Sequence, residues 1–186
     1  MTSRFRLSIA AALAPVLLMA ALTTARAEAP PDPEIVKRFE FLSENDNSSC
    51  SRSFRDSIAG MPADARLQGS CCSEMDLHRY SEQVAGLKQY SHIAEIPPDP
   101  YDVAAPLAQK LIAAYEQPLT PEQQNHYDLA METSNEKGPC CCPCWRWDVF
   151  GGLGKLLIRE QGFTGEQVAQ VWNLSDGCGG DAHMHN

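Results

Sequence analysis

Apolar residues recur at helical spacing through most of the chain after residue 33. Ile35, Phe39 and Leu42 mark a first short helix, and similar three- and four-residue steps continue towards the C-terminus. No segment of useful length alternates apolar and polar residues as a half-buried strand does. The pattern therefore predicts an all-α fold, a small irregular helical bundle with long loops. The predicted helices span about residues 34–42, 72–90, 101–115, 121–131 and 145–158, with a last one after residue 164.

Helix boundaries have their own signals. Thr120-Pro121-Glu122-Gln123 and Thr164-Gly165-Glu166-Gln167 are capping boxes that predict two helix starts. Pro143 suits the first helical position of the helix that follows it, and Gly162 ends that helix. The glycines at 151, 152 and 154 lie inside the helix, where we expect them to let another helix pack closely.

The first 27 residues have the pattern of a signal peptide. Arg4 and Arg6 precede an apolar run over residues 7–22, and Ala25-Arg26-Ala27 is a small-x-small cleavage site. The run is short for a membrane span and contains a proline, which favours cleavage over stable membrane insertion. We therefore expect a periplasmic or secreted product. The predicted organisation is a signal peptide at 1–27, a flexible Pro-rich lead-in at 28–33, one helical cysteine-rich domain at 34–180 and a flexible tail at 181–186.

The charge of the chain restricts its partners. The full chain carries −9, and loss of the leader removes three arginines and no acid, which brings the net charge to −12. Nucleic acid and anionic lipid both reward basic surface, so neither is expected as a partner. An acidic surface of this size is typical of solubility alone.

The cysteines carry the chemical signal of this sequence. Four of the eight lie within five residues, which core packing does not require. In an exported chain an even number of cysteines also allows disulfides, with 105 possible pairings. Adjacent cysteines rarely bond to each other, because the peptide geometry strains the bridge. The eight are Cys50, Cys71, Cys72, Cys140, Cys141, Cys142, Cys144 and Cys178.

The spacing of Cys140, Cys141 and Cys144 suits a shared ligand set. Steps of three and four residues place side chains on one face of a helix. Compact thiolate-rich sites select soft ions such as Cu(I) or Zn(II). Zinc needs two further sulfurs from elsewhere to close a tetrahedron, whereas two or three sulfurs suffice for Cu(I). We therefore predict a copper or zinc ion here, with copper favoured.

The other segments supply further candidate ligands. Each of Cys71, Cys72 and Cys178 lies in a turn or at a helix start that can face Cys140–Cys144. Cys50 and the tail residues His183, Met184 and His185 are weaker candidates, although imidazole and thioether groups do bind copper. Met75 and His78 follow Cys72 at helical spacing, but we interpret them as a core filler and an exposed polar residue.

Two alternatives remain open from the residues alone. The cysteines could form a disulfide-stapled structural or interaction domain without metal, or serve a thiol–disulfide oxidoreductase through Cys141-x-x-Cys144. The oxidoreductase interpretation lacks the preceding strand of a thioredoxin-type site. No Ser–His–Asp or paired-carboxylate arrangement stands out, so an enzyme is not favoured. The expected partners are a metal ion and an exported metalloprotein that receives it.

The segment Gly138-Pro139-Cys140-Cys141-Cys142-Pro143-Cys144 resembles exported bacterial proteins named for a Pro-Cys-Tyr-Cys-Gly-Cys motif. The proline and three alternating cysteines match, while Cys141 replaces the tyrosine and Pro143 the glycine. The resemblance covers residues 138–172, including a helix–Gly–helix ending. It implies an exported protein that depends on Cys140, Cys142 and Cys144, for which metal binding is the usual suggestion.

Overall fold

The computed structural model describes residues 32–178, which are mostly helical, as the all-α prediction requires. The predicted leader and tail lie outside these residues, so the predicted domain boundaries stay predictions. None of the helices within 32–178 is long and apolar enough to cross a bilayer. The described helices are α1 Pro33–Glu44, α2 Arg52–Ser57, α3 Leu77–Leu87, α4 Ala105–Tyr115, α5 Pro121–Thr133, α6 Trp145–Gln161 and α7 Gly165–Ser175, and the strands are β1 Arg66–Gln68 and β2 Asp102–Ala104.

Helix α6 lies at the centre of the main core. It is buried around most of its circumference, as expected for a helix that neighbours cover on several sides. It packs chiefly on α4, and also on α5 and α7. A Cβ at Gly152 would lie 1.9 Å from the carbonyl oxygen of Leu111 in α4, and a Cβ at Gly154 would meet the ring of Trp172 in α7. The expected role of these glycines in close helix packing is confirmed.

The strongest boundary signals are correct. Thr120 and Thr164 both form complete capping boxes, with reciprocal bonds to Gln123 and Gln167. Gly162 ends α6 in the left-handed conformation, with φ of 66°.

Helix α6 begins at Trp145, as predicted, but the first-position role predicted for Pro143 is wrong, because Cys144 is the N-cap residue and Pro143 precedes it. The predicted helix start near residue 72 is also wrong. Helix α3 begins at Leu77, because the Asp76 carboxylate accepts a hydrogen bond from the Arg79 amide and caps the helix there. Cys71, Cys72 and Cys140–Cys142 therefore lie in irregular backbone, where their side chains can point in different directions.

A small antiparallel ribbon of β1 and β2 was not predicted. Leu67 pairs with Val103, and both side chains are fully buried. Three-residue strands are too short to show an alternating pattern, and the helix predicted over residues 101–115 begins only at Ala105. The buried carboxylate of Asp102 accepts hydrogen bonds from Arg38 and Arg66, which connects α1 to the ribbon.

We predict that Gly152→Ala destabilises the protein. The added methyl group would collide with the Leu111 carbonyl oxygen, and backbone atoms cannot move aside as a side chain can. The expected loss is about 1–3 kcal/mol in the free energy of unfolding, measured by urea denaturation with circular dichroism. Gly60→Ala is the matched control, since no atom lies within 4 Å of its Cβ position. Equal stability of the two variants would contradict the close α4–α6 packing.

Candidate metal centre

All eight cysteines converge on one region, here called the thiol cluster. Cys50 comes from the loop before α2, and Cys71 and Cys72 follow β1. The segment Cys140–Cys144 leads into α6, and Cys178 follows α7. Every Sγ atom lies within 4.0 Å of at least one other Sγ, and these contacts connect all eight into a single group.

Hydrogen bonds to backbone carbonyl oxygens hold the segments of the thiol cluster in place. The amide and hydroxyl of Ser73 both donate to the carbonyl oxygen of Cys178, at 3.0 and 2.8 Å. The Cys50 thiol donates to the carbonyl oxygen of Cys71 at 3.1 Å. The Cys144 amide bonds to the carbonyl oxygen of Cys142 at 2.8 Å, which tightens the turn before α6. The loops that carry the sulfurs are therefore tied to one another directly.

The sulfur–sulfur distances do not correspond to disulfides. All eight cysteines are free, and the shortest Sγ–Sγ separations are 3.0 Å for Cys140–Cys178 and Cys141–Cys178. A disulfide bond is about 2.05 Å long. A tetrahedral ion with metal–sulfur bonds of about 2.3 Å holds its sulfurs about 3.8 Å apart. Cys72 lies at that distance, 3.8 Å, from both Cys141 and Cys142.

Five overlapping triplets of sulfurs have the proximity that a metal ion needs. Within each triplet the three sulfurs lie within 4.8 Å of one another. Every cysteine except Cys144 belongs to two triplets, and none of the triplets contains a histidine or carboxylate. The arrangement therefore offers several adjacent all-sulfur sites that share ligands. The triplets are Cys50/Cys142/Cys144, Cys50/Cys71/Cys72, Cys71/Cys140/Cys178, Cys72/Cys141/Cys178 and Cys140/Cys141/Cys142.

The protonation of the thiols differs across the cluster. Burial raises the pKa values of Cys50, Cys72 and Cys141 above the ordinary thiol value. Hydrogen bonds from Cys140 and other neighbouring thiols lower the pKa values of Cys71 and Cys178. Some thiols thus donate hydrogen bonds to Cys71 and Cys178, which favour the thiolate form. A metal ion that binds the protonated thiols has to displace their protons.

Arg146 is a charged member of the site that the sequence did not reveal. Its side chain is fully buried, and it donates hydrogen bonds to the carbonyl oxygens of Gly69 and Pro100, at 2.9 and 2.7 Å. Within residues 32–178 no carboxylate forms an ion pair with it. Burial alone lowers its pKa, but the nearby thiols of Cys71 and Cys140 more than offset that effect. The cysteine thiolates compensate its charge electrostatically, and the ring centroids of Tyr101, Trp145 and Phe150 lie within 5.9 Å of the guanidinium.

Of the remaining candidates from the sequence, some lie in or near the thiol cluster and others do not. Cys50, which sequence reasoning ranked below the other cysteines, is a full member of the thiol cluster. Met75 is half-buried and shares a cavity with Cys71 and Cys72, while His78 is exposed and lies 3.3 Å from Glu82. The tail residues His183, Met184 and His185 lie outside the described residues.

Comparison of the chain with known protein families, with curated proteins and with solved structures found no match.

We predict that metal-free, reduced protein reacts with a maleimide in the order of thiol exposure. Cys72 is the one exposed thiol among the eight, whereas Cys140, Cys144 and Cys178 have 2 % of their surface or less accessible. Limited labelling under anaerobic conditions, followed by peptide mass analysis, should find Cys72 modified before these three. Labelling of Cys140 or Cys178 as fast as Cys72 would mean that the cluster opens readily without metal.

Proposed function

We propose that this is an exported protein that binds soft metal ions through its thiol cluster, with Cu(I) favoured over Zn(II). The observation that carries the proposal is the convergence of eight free sulfurs from four separate segments into overlapping triplets. Sulfur-only donor sets select soft ions over harder ones such as Mg²⁺ or Ca²⁺. Because the triplets share sulfurs, the site suits several ions connected by bridging thiolates.

Copper is favoured over zinc by the way the sulfurs are shared. Two or three thiolates satisfy Cu(I), so overlapping triplets supply enough ligands for several ions. A structural zinc ion takes four ligands, so eight thiolates fill about two zinc sites without sharing. Within the described residues there are five triplets, more than the two zinc sites, and seven of the eight cysteines belong to two triplets each. This pattern fits a multi-copper cluster better than two separate zinc sites.

The buried charge of Arg146 favours a metal cluster over a disulfide staple. Eight cysteines paired in disulfides carry no charge and would leave the guanidinium without a compensating anion. An isolated buried cation is strongly unfavourable. Eight thiolates binding fewer than eight Cu(I) ions keep a net negative charge beside Arg146. The burial of Arg146 is therefore explained if the cysteines remain thiolates and do not form disulfides.

The proposed role is metal handling outside the cytoplasm: sequestration, tolerance, or delivery to an exported metalloprotein. The signal peptide predicted for residues 1–27 supports export. The resemblance at Cys140, Cys142 and Cys144 to exported proteins with alternating cysteines points the same way. A thiol–disulfide oxidoreductase is less favoured, because α5 and an irregular loop, with no strand, precede Cys140.

We predict that protein purified anaerobically from the periplasm, without chelator, contains more than about two copper ions per chain. Elemental analysis gives the metal content, and a thiol assay before and after denaturation with a chelator gives the protected cysteines. All eight thiols should become reactive when copper is removed. About two zinc ions with eight protected thiols would make zinc the native metal. Absence of metal together with four disulfides would refute the proposal.

We predict that Arg146→Met lowers the Cu(I) affinity of the thiol cluster. Methionine keeps part of the buried volume but removes the positive charge facing Cys71, Cys140 and Cys178. Loss of such a supporting group typically costs about 10–100-fold in metal affinity. Competition with a Cu(I) chelator measures the change. Arg66→Met is the matched control, because Asp102 keeps its bonds from Arg38 and Gln68. Equal affinities of the two variants would exclude an electrostatic role for Arg146.

A further inference from the structure

The thiol cluster divides into two sets of four. The inner tetrad consists of Cys71, Cys140, Cys144 and Cys178, and the outer tetrad of Cys50, Cys72, Cys141 and Cys142. Three inner thiols have 2 % of their surface or less accessible, whereas every outer thiol is half-buried or exposed.

Each tetrad has close sulfur–sulfur contacts of its own. In the inner tetrad, Cys144 lies 3.7 Å from Cys140 and 4.0 Å from Cys71, and Cys140 lies 3.0 Å from Cys178. In the outer tetrad, Cys72 lies 3.1 Å from Cys50 and 3.8 Å from both Cys141 and Cys142. The inner tetrad contains the triplet Cys71/Cys140/Cys178, and the sulfurs of Cys50, Cys72 and Cys142 of the outer tetrad lie within 3.8 Å of one another. The other four of the five triplets combine thiols of both tetrads. Contacts across the two sets also exist, at 3.7 Å for Cys71–Cys72 and 3.0 Å for Cys141–Cys178.

The surrounding charge differs between the tetrads. Arg146 acts electrostatically on Cys71, Cys140 and Cys178, which are all inner thiols. Its fixed positive charge stabilises excess thiolate at these three sulfurs, of which Cys140 and Cys178 are buried from water. The outer thiols face solvent, where water and small solutes can compete for a bound ion. Burial and charge therefore both favour retention of metal by the inner tetrad.

Two surface cavities lead to the cluster, and each is lined by an outer and an inner thiol. A cavity of about 600 Å³ has Cys72 and Cys71 in its wall, together with the soft thioether residue Met75. A second, of about 670 Å³, has Cys50 and Cys144. Neither of these two cavities is lined by Cys140 or Cys178. An ion that enters from either side thus meets an outer thiol beside an inner one.

We propose that the thiol cluster is a two-compartment site, in which the outer tetrad exchanges Cu(I) with external ligands while the inner tetrad retains it. This inference rests on the proposed function. Exchange is ligand substitution without redox change. An external thiolate forms a bond to the ion, one outer cysteine thiolate leaves it, and the ion remains Cu(I). Movement between compartments follows the same rule, since Cys71 bonds to the ion as Cys72 releases it.

Removal of copper by a chelator tests the two compartments. The full chain is loaded with Cu(I) under anaerobic conditions and mixed with excess bathocuproine disulfonate, and the absorbance of the copper–chelator complex is followed with time. Two phases are expected, with the slow phase about tenfold slower or more, because the inner tetrad has to open before release. Cys72→Ser should reduce the amplitude of the fast phase, and the matched Cys140→Ser that of the slow phase.

The outcomes separate this inference from the proposed function. Copper that binds in several equivalents but leaves in one phase would overturn the two compartments and leave metal binding intact. The same holds if Cys72→Ser and Cys140→Ser reduce both phases equally. Failure of the wild-type chain to bind copper would overturn both proposals. Because the wild-type kinetics alone distinguish one phase from two, the test does not depend on the variants folding.

Discussion

The guanidinium of Arg146 is the interaction on which the arrangement of the thiol cluster depends. It lies in the first turn of α6, two residues after Cys144, and donates hydrogen bonds to the carbonyl oxygens of Gly69 and Pro100. It thereby fixes the corner before Cys71 and Cys72 against the start of α6. A Cβ at Gly177 would lie 2.2 Å from the guanidinium, so the turn that carries Cys178 packs directly on it. One buried cation thus positions three of the four cysteine-bearing segments and compensates their charge.

Local signals in the sequence predicted the helical frame but not the position of every element. Thr120, Thr164 and Gly162 act within one helical turn, so their effects follow from neighbouring residues alone. The β1–β2 ribbon depends on pairing between segments 36 residues apart, and nothing local in its three-residue strands marks it. The misplaced Pro143 has a different, local cause: the Cys144 amide bonds to the carbonyl oxygen of Cys142, so the helix begins after this turn.

In the candidate site, too, the features set by neighbouring residues were predictable from the sequence, and those set by distant segments were not. Clustering of Cys140, Cys141, Cys142 and Cys144 is a property of the sequence, and the convergence of the other cysteines on it was a reasonable inference from their number. The burial of Arg146 depends on rings and carbonyl groups from distant segments, such as Tyr101 and Pro100, which sequence spacing does not reveal. An arginine inside a helix ordinarily extends its charged group into water.

The helices and the thiol cluster share one hydrophobic core. Helices α4, α5, α6 and α7 pack through apolar side chains and close glycine contacts, and the buried side chains of Cys140, Cys144 and Cys178 belong to the same core. The cysteine segments instead have little regular structure, so their order depends on Arg146, a few backbone hydrogen bonds and whatever the sulfurs bind. Metal binding therefore adds its free energy chiefly to the loops. Under the proposed function, the metal would order these loops, while the apolar packing of α4–α7 holds the helices that position the sulfurs.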